Sequence, residues 1–305
     1  MPLHPWAQAH LAQPHMAARI PVETLSPNAA RQQSRAMCRL APPGEAVART
    51  ADFCIPGPHG GMIPVRMYTP AGMGAGPMPV CLYFHGGGWV LGDLDAQDAA
   101  CRSMANGAAC VVVSVNYRHA PEHPFPAAPE DCYAAACWVA RQGAELGTDP
   151  QRLAVAGMSA GANLAIAVTL MAKERGGPSI ACQALMVPVT DHRFDTRSYA
   201  ECAEGYDLTL RGMQWYWGHY LTHPADGAHP WASPLRAADL SGLPGAFVMT
   251  SEYDPLRDEG EAYAQRLRDA GVPVLSRCNA GMMHGFLGPQ AVPEVADFLR
   301  SRLHR

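Results

Sequence analysis

The sequence is poor in charge and has no clustered metal ligands. Only 16% of its 305 residues are Asp, Glu, Lys or Arg, the formal net charge is −4, and no stretch gathers basic residues into a block. A chain of this kind has no electrostatic footing on nucleic acid. Its ten cysteines include no C-x-x-C pair and no His/Cys group at zinc spacing, which removes a structural zinc site. Cys81 and Cys110 fall in expected strands and Cys132 and Cys137 in an expected helix, so they read as small buried thiols in a reducing compartment rather than disulfide partners. The N-terminus has no basic region followed by an apolar core, and no apolar run approaches a membrane span. A cytoplasmic chain with no membrane partner is expected. Internal repeats and low-complexity tracts are also absent.

Apolar residues make up 48% of the chain, enough for a large core. Residues 1–50 are broken by Pro2, Pro5, Pro14, Pro21, Pro27, Pro42 and Pro43, with short helical patches at 7–12 and 28–40. They read as a segment draped over the rest. Residues 52–55 and 63–68 form a hairpin around a glycine-rich turn, and 71–78 a surface loop. Strands and helices then alternate: strand 80–84, helix 95–107, strand 110–115, helix 129–143, strand 153–156, helix 159–173 and strand 184–189. Strands 246–250 and 272–275 follow, with a helix at 259–270 between them and a closing helix at 295–303. Such alternation predicts an α/β fold, a mostly parallel sheet with helices on both faces. Residues 51–305 are expected to form this domain. About 190–243 interrupts it as an aromatic insertion with a helix at 210–220, long enough to act as a lid. With residues 1–50 it would form a helical cap over the mouth of a site.

Gly157-Met158-Ser159-Ala160-Gly161 matches G-x-S-x-G between an apolar strand and a run of helix formers. Strand, tight turn and helix make the context of a nucleophile elbow, where glycines let strand and helix pass close beside a strained serine. A serine nucleophile needs a base, an orienting carboxylate and oxyanion donors. Asp254 follows the strand at 246–250, and His284, between glycines in Gly281-Met282-Met283-His284-Gly285-Phe286, follows the last strand. They occur in the order Ser, Asp, His required on this kind of sheet. His85-Gly86-Gly87-Gly88-Trp89 follows the strand at 80–84, and three successive glycines there need a backbone reason. The N–H groups of Gly86 and Gly87, with that of Ala160, are the candidate oxyanion donors. Trp89, Tyr206 and Trp215 are the candidate substrate-binding aromatics.

On these motifs the chain resembles the hormone-sensitive-lipase-like branch of the α/β hydrolases, bacterial carboxylesterases with an HGGG motif. The resemblance runs from about Asp52 to the end. It also rests on the stretch from Asn116-Tyr117-Arg118 through Glu122 to Pro126-Ala127, on Ser233-Pro234-Leu235, and on Asp254-Pro255-Leu256-Arg257-Asp258-Glu259. It implies an α/β-hydrolase fold, Ser159, Asp254 and His284 as a triad, and a cap that includes the N-terminal segment. It further implies activity on small-molecule esters with short or medium acyl chains, and no cofactor. Family members pair through the sheet edge, so a homodimer is part of the expectation. Two positions depart from the family: Met158 stands where Asp is usual, and Ala162 where Gly is usual. Tyr117, Arg118 and Glu122 read as packing and hydrogen-bonding residues. The Met158 side chain is expected to point away from the substrate and to fill space by packing.

The reading is a serine carboxylesterase acting through an acyl-enzyme. An amidase or formamidase would use the same parts. A non-catalytic ligand receptor, as the gibberellin receptors are on this scaffold, would not need His284. No long apolar flap beyond the cap marks an interfacial lipase.

Overall fold

The computed structural model describes residues 2–72, 76–285, 287–288 and 290–304. Met73, Gly74 and Ala75 of the expected surface loop and Phe286 of the histidine motif lie outside them. Eight strands form one sheet: β1 (Arg49–Pro56), β2 (Met62–Thr69), β3 (Met78–Phe84), β4 (Val111–Val115), β5 (Thr148–Met158), β6 (Cys182–Met186), β7 (Gly245–Tyr253) and β8 (Val274–Met283). Their order is β1-β2-β4-β3-β5-β6-β7-β8. The first two pairings, β1 with β2 and β2 with β4, are antiparallel, and all later ones are parallel. This is the α/β-hydrolase fold.

The sequence explains the layering. β4 reads Val-Val-Val-Ser-Val and is buried along its length, as a central strand covered on both faces must be. Helices α1 (Pro5–Leu11), α2 (Pro14–Ala17) and α3 (Pro27–Cys38) precede the sheet. Pro5, Pro14 and Pro27 each open one of them, where a missing N–H has no cost. Helices α4 (Asp98–Ala108), α5 (Ala127–Gln142) and α6 (Ala160–Arg175) follow strands β3, β4 and β5. Within the β6–β7 insertion lie α7 (Arg197–Glu201) and α8 (Leu210–Tyr220). Helices α9 (Arg257–Asp269) and α10 (Ala291–Leu303) flank β8. Residues of α5, α6 and α9 share one core with one face of the sheet, and α4 and α10 share the other. α6 is buried from Ala160 to Ala172 because its sequence is apolar all round, the mark of a helix with no solvent face.

Element boundaries differ from expectation where tertiary pairing extends or trims a local pattern. β8 reaches Met283 rather than stopping at 275, since Ser276, Arg277 and Cys278 are exposed on an edge strand and give no apolar signal. The helix expected from 95 begins at Asp98, and the strand expected to reach 189 ends at Met186, with Val187 in a left-handed conformation. Cys110 lies one residue before β4. All ten cysteines are free thiols. Among the described residues no helix is long and apolar enough to cross a membrane.

Arg31 of α3 ties the N-terminal segment to the loops that follow β3 and β4. Its Nε donates to the Val90 carbonyl at 2.9 Å, and one Nη donates to the Ala120 carbonyl at 2.8 Å. The guanidinium also pairs with Glu122, whose side chain is more than half exposed. An exposed ion pair contributes little, whereas two part-buried carbonyls left without a donor are costly. Arg31→Ala is therefore expected to lower stability by about 1–3 kcal/mol, and Glu122→Gln by less than about 1 kcal/mol. Thermal or urea melts of the two variants measure the difference, and equal losses would place the anchor in the ion pair instead.

Candidate active site

β5 ends at Met158 and α6 begins at Ala160, so Ser159 occupies the whole turn between them. Its φ of 58° and ψ of −123° are rare for a residue with a side chain. The turn closes because two neighbours have none. A Cβ on Gly157 would overlap the Gly161 carbonyl group, and one on Gly161 would overlap the Phe84 carbonyl and lie 2.6 Å from that of His85. The Ser159 N–H donates to the Met186 carbonyl of β6 at 2.8 Å, which fixes the turn to the adjacent strand.

Asp254 directly follows β7 and is fully buried. Its Oδ1 accepts from the Leu256 N–H at 2.9 Å, and its Oδ2 lies 2.8 Å from His284 Nδ1. His284 follows β8, and its Nε2 lies 2.9 Å from Ser159 Oγ. A carboxylate can only accept, so Nδ1 carries the imidazole proton and Nε2 is left to accept from the serine hydroxyl. Ser159 is 8% exposed and His284 7%, so the chain of three is shielded from bulk water except on the cavity side. Asp258, four residues after Asp254, takes no part. It accepts from the Ser198 N–H at 2.7 Å and pairs with Arg257 at the start of α9.

The loop after β3 faces Ser159. A Cβ on Gly86 would lie 3.5 Å from Ser159 Cβ, and Gly86, Gly87 and Gly88 line the same cavity as Ser159 and His284. Ala160 is buried at the first position of α6, where backbone N–H groups lack partners inside the helix. The loop is held from behind. His85 stacks on Tyr117 at 4.4 Å, its Nδ1 donates to the Gly86 carbonyl at 2.8 Å, and the Tyr117 hydroxyl donates to the His85 carbonyl at 2.8 Å. Burial pushes the His85 pKa down, so this ring stays neutral. Arg118 forks onto buried Asp131, with contacts of 2.8–3.1 Å.

The cavity at Ser159 has a volume of about 210 Å³. Its roof comes from two distant parts of the chain: Arg19 and Cys38 from the N-terminal segment, and Leu208, Met213 and Tyr216 from the β6–β7 insertion. The aromatics expected to bind substrate lie elsewhere. Trp89 is fully buried, stacked on Tyr220 at 4.0 Å and tilted against Trp217 at 4.6 Å, and does not reach the cavity. Trp215 packs against Tyr216 and His219. One residue along a helix turns a side chain by about 100°, so Tyr216 and Met213, three apart, face the cavity while Trp215 does not. That i, i+3 spacing was readable, but which face of α8 looks inward was not. Tyr206 packs against Tyr253 in a tilted arrangement at 4.8 Å and lines a second cavity of about 250 Å³ next to the first. Met158 packs against the core shared by α4 and α10, as a space-filling residue should, and its backbone carbonyl lies beside Gly86 at the Ser159 cavity. Among the described residues no group of three or more His, Cys, Asp or Glu could hold a metal ion.

An α/β-hydrolase-fold family profile matches residues 81–288. The chain is 45% identical over 265 residues to the carboxylic ester hydrolase LipN of Mycobacterium tuberculosis, spanning 85% of this chain and 70% of that one. It is 35% identical to an ethyl acetate hydrolase of Pseudomonas putida, over 91% of this chain and 88% of that one. Among solved structures, a thermostable esterase from Pseudomonas putida superposes with a TM-score of 0.94 at 38% identity, covering 99% of this chain and 98% of that one. A hyperthermophilic esterase from Pyrobaculum calidifontis does so with a TM-score of 0.91 at 40% identity, covering 99% of both.

The electrostatics of His284 set a pH dependence. Burial pushes its pKa down, but the charge of Asp254 and the hydrogen bond to it push it up, and the net displacement is upward from 6.5. A base must be unprotonated, so a rate that depends on His284 as base should fall as pH drops through that raised value. The acid limb of kcat/KM is expected with its midpoint above 6.5, the ordinary histidine value. A pH profile from 5 to 9 measures it, and a midpoint well below 6 would mean that burial prevails over Asp254.

Proposed function

Because the chain belongs to the α/β-hydrolase family, we propose that it hydrolyses small carboxylic esters of short to medium chain length through an acyl-enzyme on Ser159. Carboxylic-ester hydrolysis is the activity its relatives carry in their names. The observation that carries the reading is the hydrogen-bonded relay from Asp254 through His284 to Ser159, ending on a hydroxyl that faces a cavity.

In this reading Ser159 Oγ attacks the acyl carbon while its proton passes to His284 Nε2. Asp254 holds the Nδ1–H tautomer and stabilises the imidazolium that forms. The negative charge on the former carbonyl oxygen is met by the N–H groups of Gly86, Gly87 and Ala160, each such donor being worth about 10²–10³ in rate. Collapse of the tetrahedral species expels the alcohol, which takes the proton from His284. Water then attacks the acyl-enzyme with His284 again as base, releasing the acid and restoring Ser159. The rigid glycine loop and the buried relay support such a step, because donors fixed before the reaction need no reorganisation during it. The N-terminal segment and the insertion act as a cap. A cavity smaller than the roughly 300 Å³ at the low end of drug-sized sites suits a short ester. Pairing of two copies through the exposed edge strand β8 completes the reading.

Ser159→Ala is expected to lower kcat by about 10³–10⁶ without unfolding the chain. Asp254→Asn should cost on the order of 10⁴ by permitting the wrong tautomer, while Asp258→Asn should lower the melting temperature and spare turnover. Rates on p-nitrophenyl butyrate with parallel melts separate these outcomes. An Asp258 variant that loses turnover while Asp254→Asn keeps it would move the orienting carboxylate to Asp258.

A further inference from the structure

We propose that the ion pair between Arg19 and Asp207 is a partition inside the substrate cleft, and that opening it admits ester chains longer than the Ser159 cavity alone can hold. The proposal rests on Ser159 as nucleophile and adds to that reading a device that sets chain length.

The two cavities are neighbours, and the wall between them is made of few residues. Arg19, Asp207, Leu208 and Tyr216 line both. Two of these four are the charged pair, joined by a direct contact from Arg19 Nη1 to Asp207 Oδ1. Arg19 comes from the stretch after α2, and Asp207 from the insertion before α8, so the contact joins two segments far apart in sequence. Asp207 sits in a left-handed conformation with φ of 68°, which Asp tolerates better than most residues. Its carboxylate occupies the space where a Cβ on Gly285 would stand, so it lies against the backbone one residue after His284.

Behind the pair the second cavity is lined mainly by apolar and aromatic residues, Leu11, Met16, Val22 and Tyr206 among them, with Glu23 and Thr209 as polar members. Its walls suit a hydrocarbon chain. At about 210 and 250 Å³, each cavity falls below the usual small-molecule range, and only joined do they pass its lower end of roughly 300 Å³. Each methylene buried there is worth roughly fourfold in binding, so a chain longer by a few carbons supplies the drive that opens a partly exposed ion pair. Tyr206, distant from Ser159 in function while the pair is closed, then becomes a contact for the far end of a longer chain. Arg19 and Asp207 also act on the His284 imidazole in opposite directions, Asp207 raising and Arg19 lowering its pKa. Removing both leaves that balance closest to neutral and isolates the change in shape.

The test compares the full-length chain with its Arg19→Ala, Asp207→Ala double variant on p-nitrophenyl acetate, butyrate, octanoate and decanoate, and on a matching series of alkyl acetates. The ratio of kcat/KM for the eight-carbon over the four-carbon chain is expected to rise about tenfold in the double variant in at least one series, the loss of an opening cost equivalent to between about one and two buried methylenes. Ratios within about twofold of the wild type in both series would overturn the partition, as fixed chain preference is what a merely structural pair predicts. Should the double variant fail to fold, Met16→Trp in the otherwise unchanged chain fills the second cavity and leaves the pair intact. It should lower the eight- to four-carbon ratio, and an unchanged ratio overturns the proposal equally. A wild-type chain that neither hydrolyses butyrate nor takes up a small organophosphate on Ser159 would overturn the nucleophile and the partition together, whereas an active enzyme with unmoved ratios overturns the partition alone.

Discussion

The close approach of the start of α6 to two strands, to β5 at Gly157 and to the end of β3 at Gly161, is the constraint on which the other features depend. Gly157 and Gly161 admit no Cβ, because the Gly161 carbonyl group and the Phe84 carbonyl already occupy the space. Ser159 is held at positive φ by this contact, and its side chain is thrown out of both the strand and the helix. The same approach brings the start of the glycine loop after Phe84 alongside the serine, since α6 can only lie against β3 if the residues that follow β3 pass beside its first turn. Ser159 and the candidate oxyanion donors are therefore brought together by one packing event. The all-round apolar surface of α6 maintains that event by leaving the helix no solvent-facing alternative.

Around this contact the site is built from groups that are buried and bonded before any substrate arrives. Asp254 has both carboxylate oxygens in use, one on the Leu256 N–H and one on His284. The balance at His284 is a contest between burial, which disfavours the charged ring, and a carboxylate that favours it. The carboxylate prevails because it is in contact and equally removed from water, where charge–charge interaction is least screened. Behind the glycine loop, Tyr117 and His85 do a comparable job with neutral groups, stacking and sharing carbonyl contacts so that the loop's backbone has one arrangement.

The roof has a different character. It is assembled from the N-terminal segment and the β6–β7 insertion, which are held to the rest of the domain by contacts such as Arg31 on the Val90 and Ala120 carbonyls and the His4 N–H on the Gly281 carbonyl, and touch each other through Val22 against α8 and through Arg19 with Asp207. Aromatic stacking among Trp89, Trp217 and Tyr220 fixes α8 to the loop after β3 from below. These rings give the roof its foundation rather than its contact with a ligand. Met213, Leu208 and Tyr216, with the charged pair, are left to shape the space above Ser159.

The sequence by itself determined the α/β alternation, the elbow, the glycine loop and the order Ser159, Asp254, His284. Each of these is a local pattern with a local cause: apolar runs of strand length, glycines where no side chain fits, a serine between strand and helix. Local patterns also show why β8 extends beyond its apolar signal and why size and aromaticity alone do not bring Trp89 and Trp215 to the cavity. An edge strand with Ser276, Arg277 and Cys278 exposed carries no apolar signal, although the ladder to β7 orders it. Trp89 and Trp215 are large and aromatic, but whether a ring meets a ligand or a neighbour depends on the rotation of α8 and on what packs against it. Tertiary structure alone decided which residues from 1–50 reach Ser159, that Arg19 meets Asp207, and that Tyr206 stands behind them in a separate cavity. Those relations join segments nearly two hundred residues apart, and no periodicity or motif within either segment encodes the other's position.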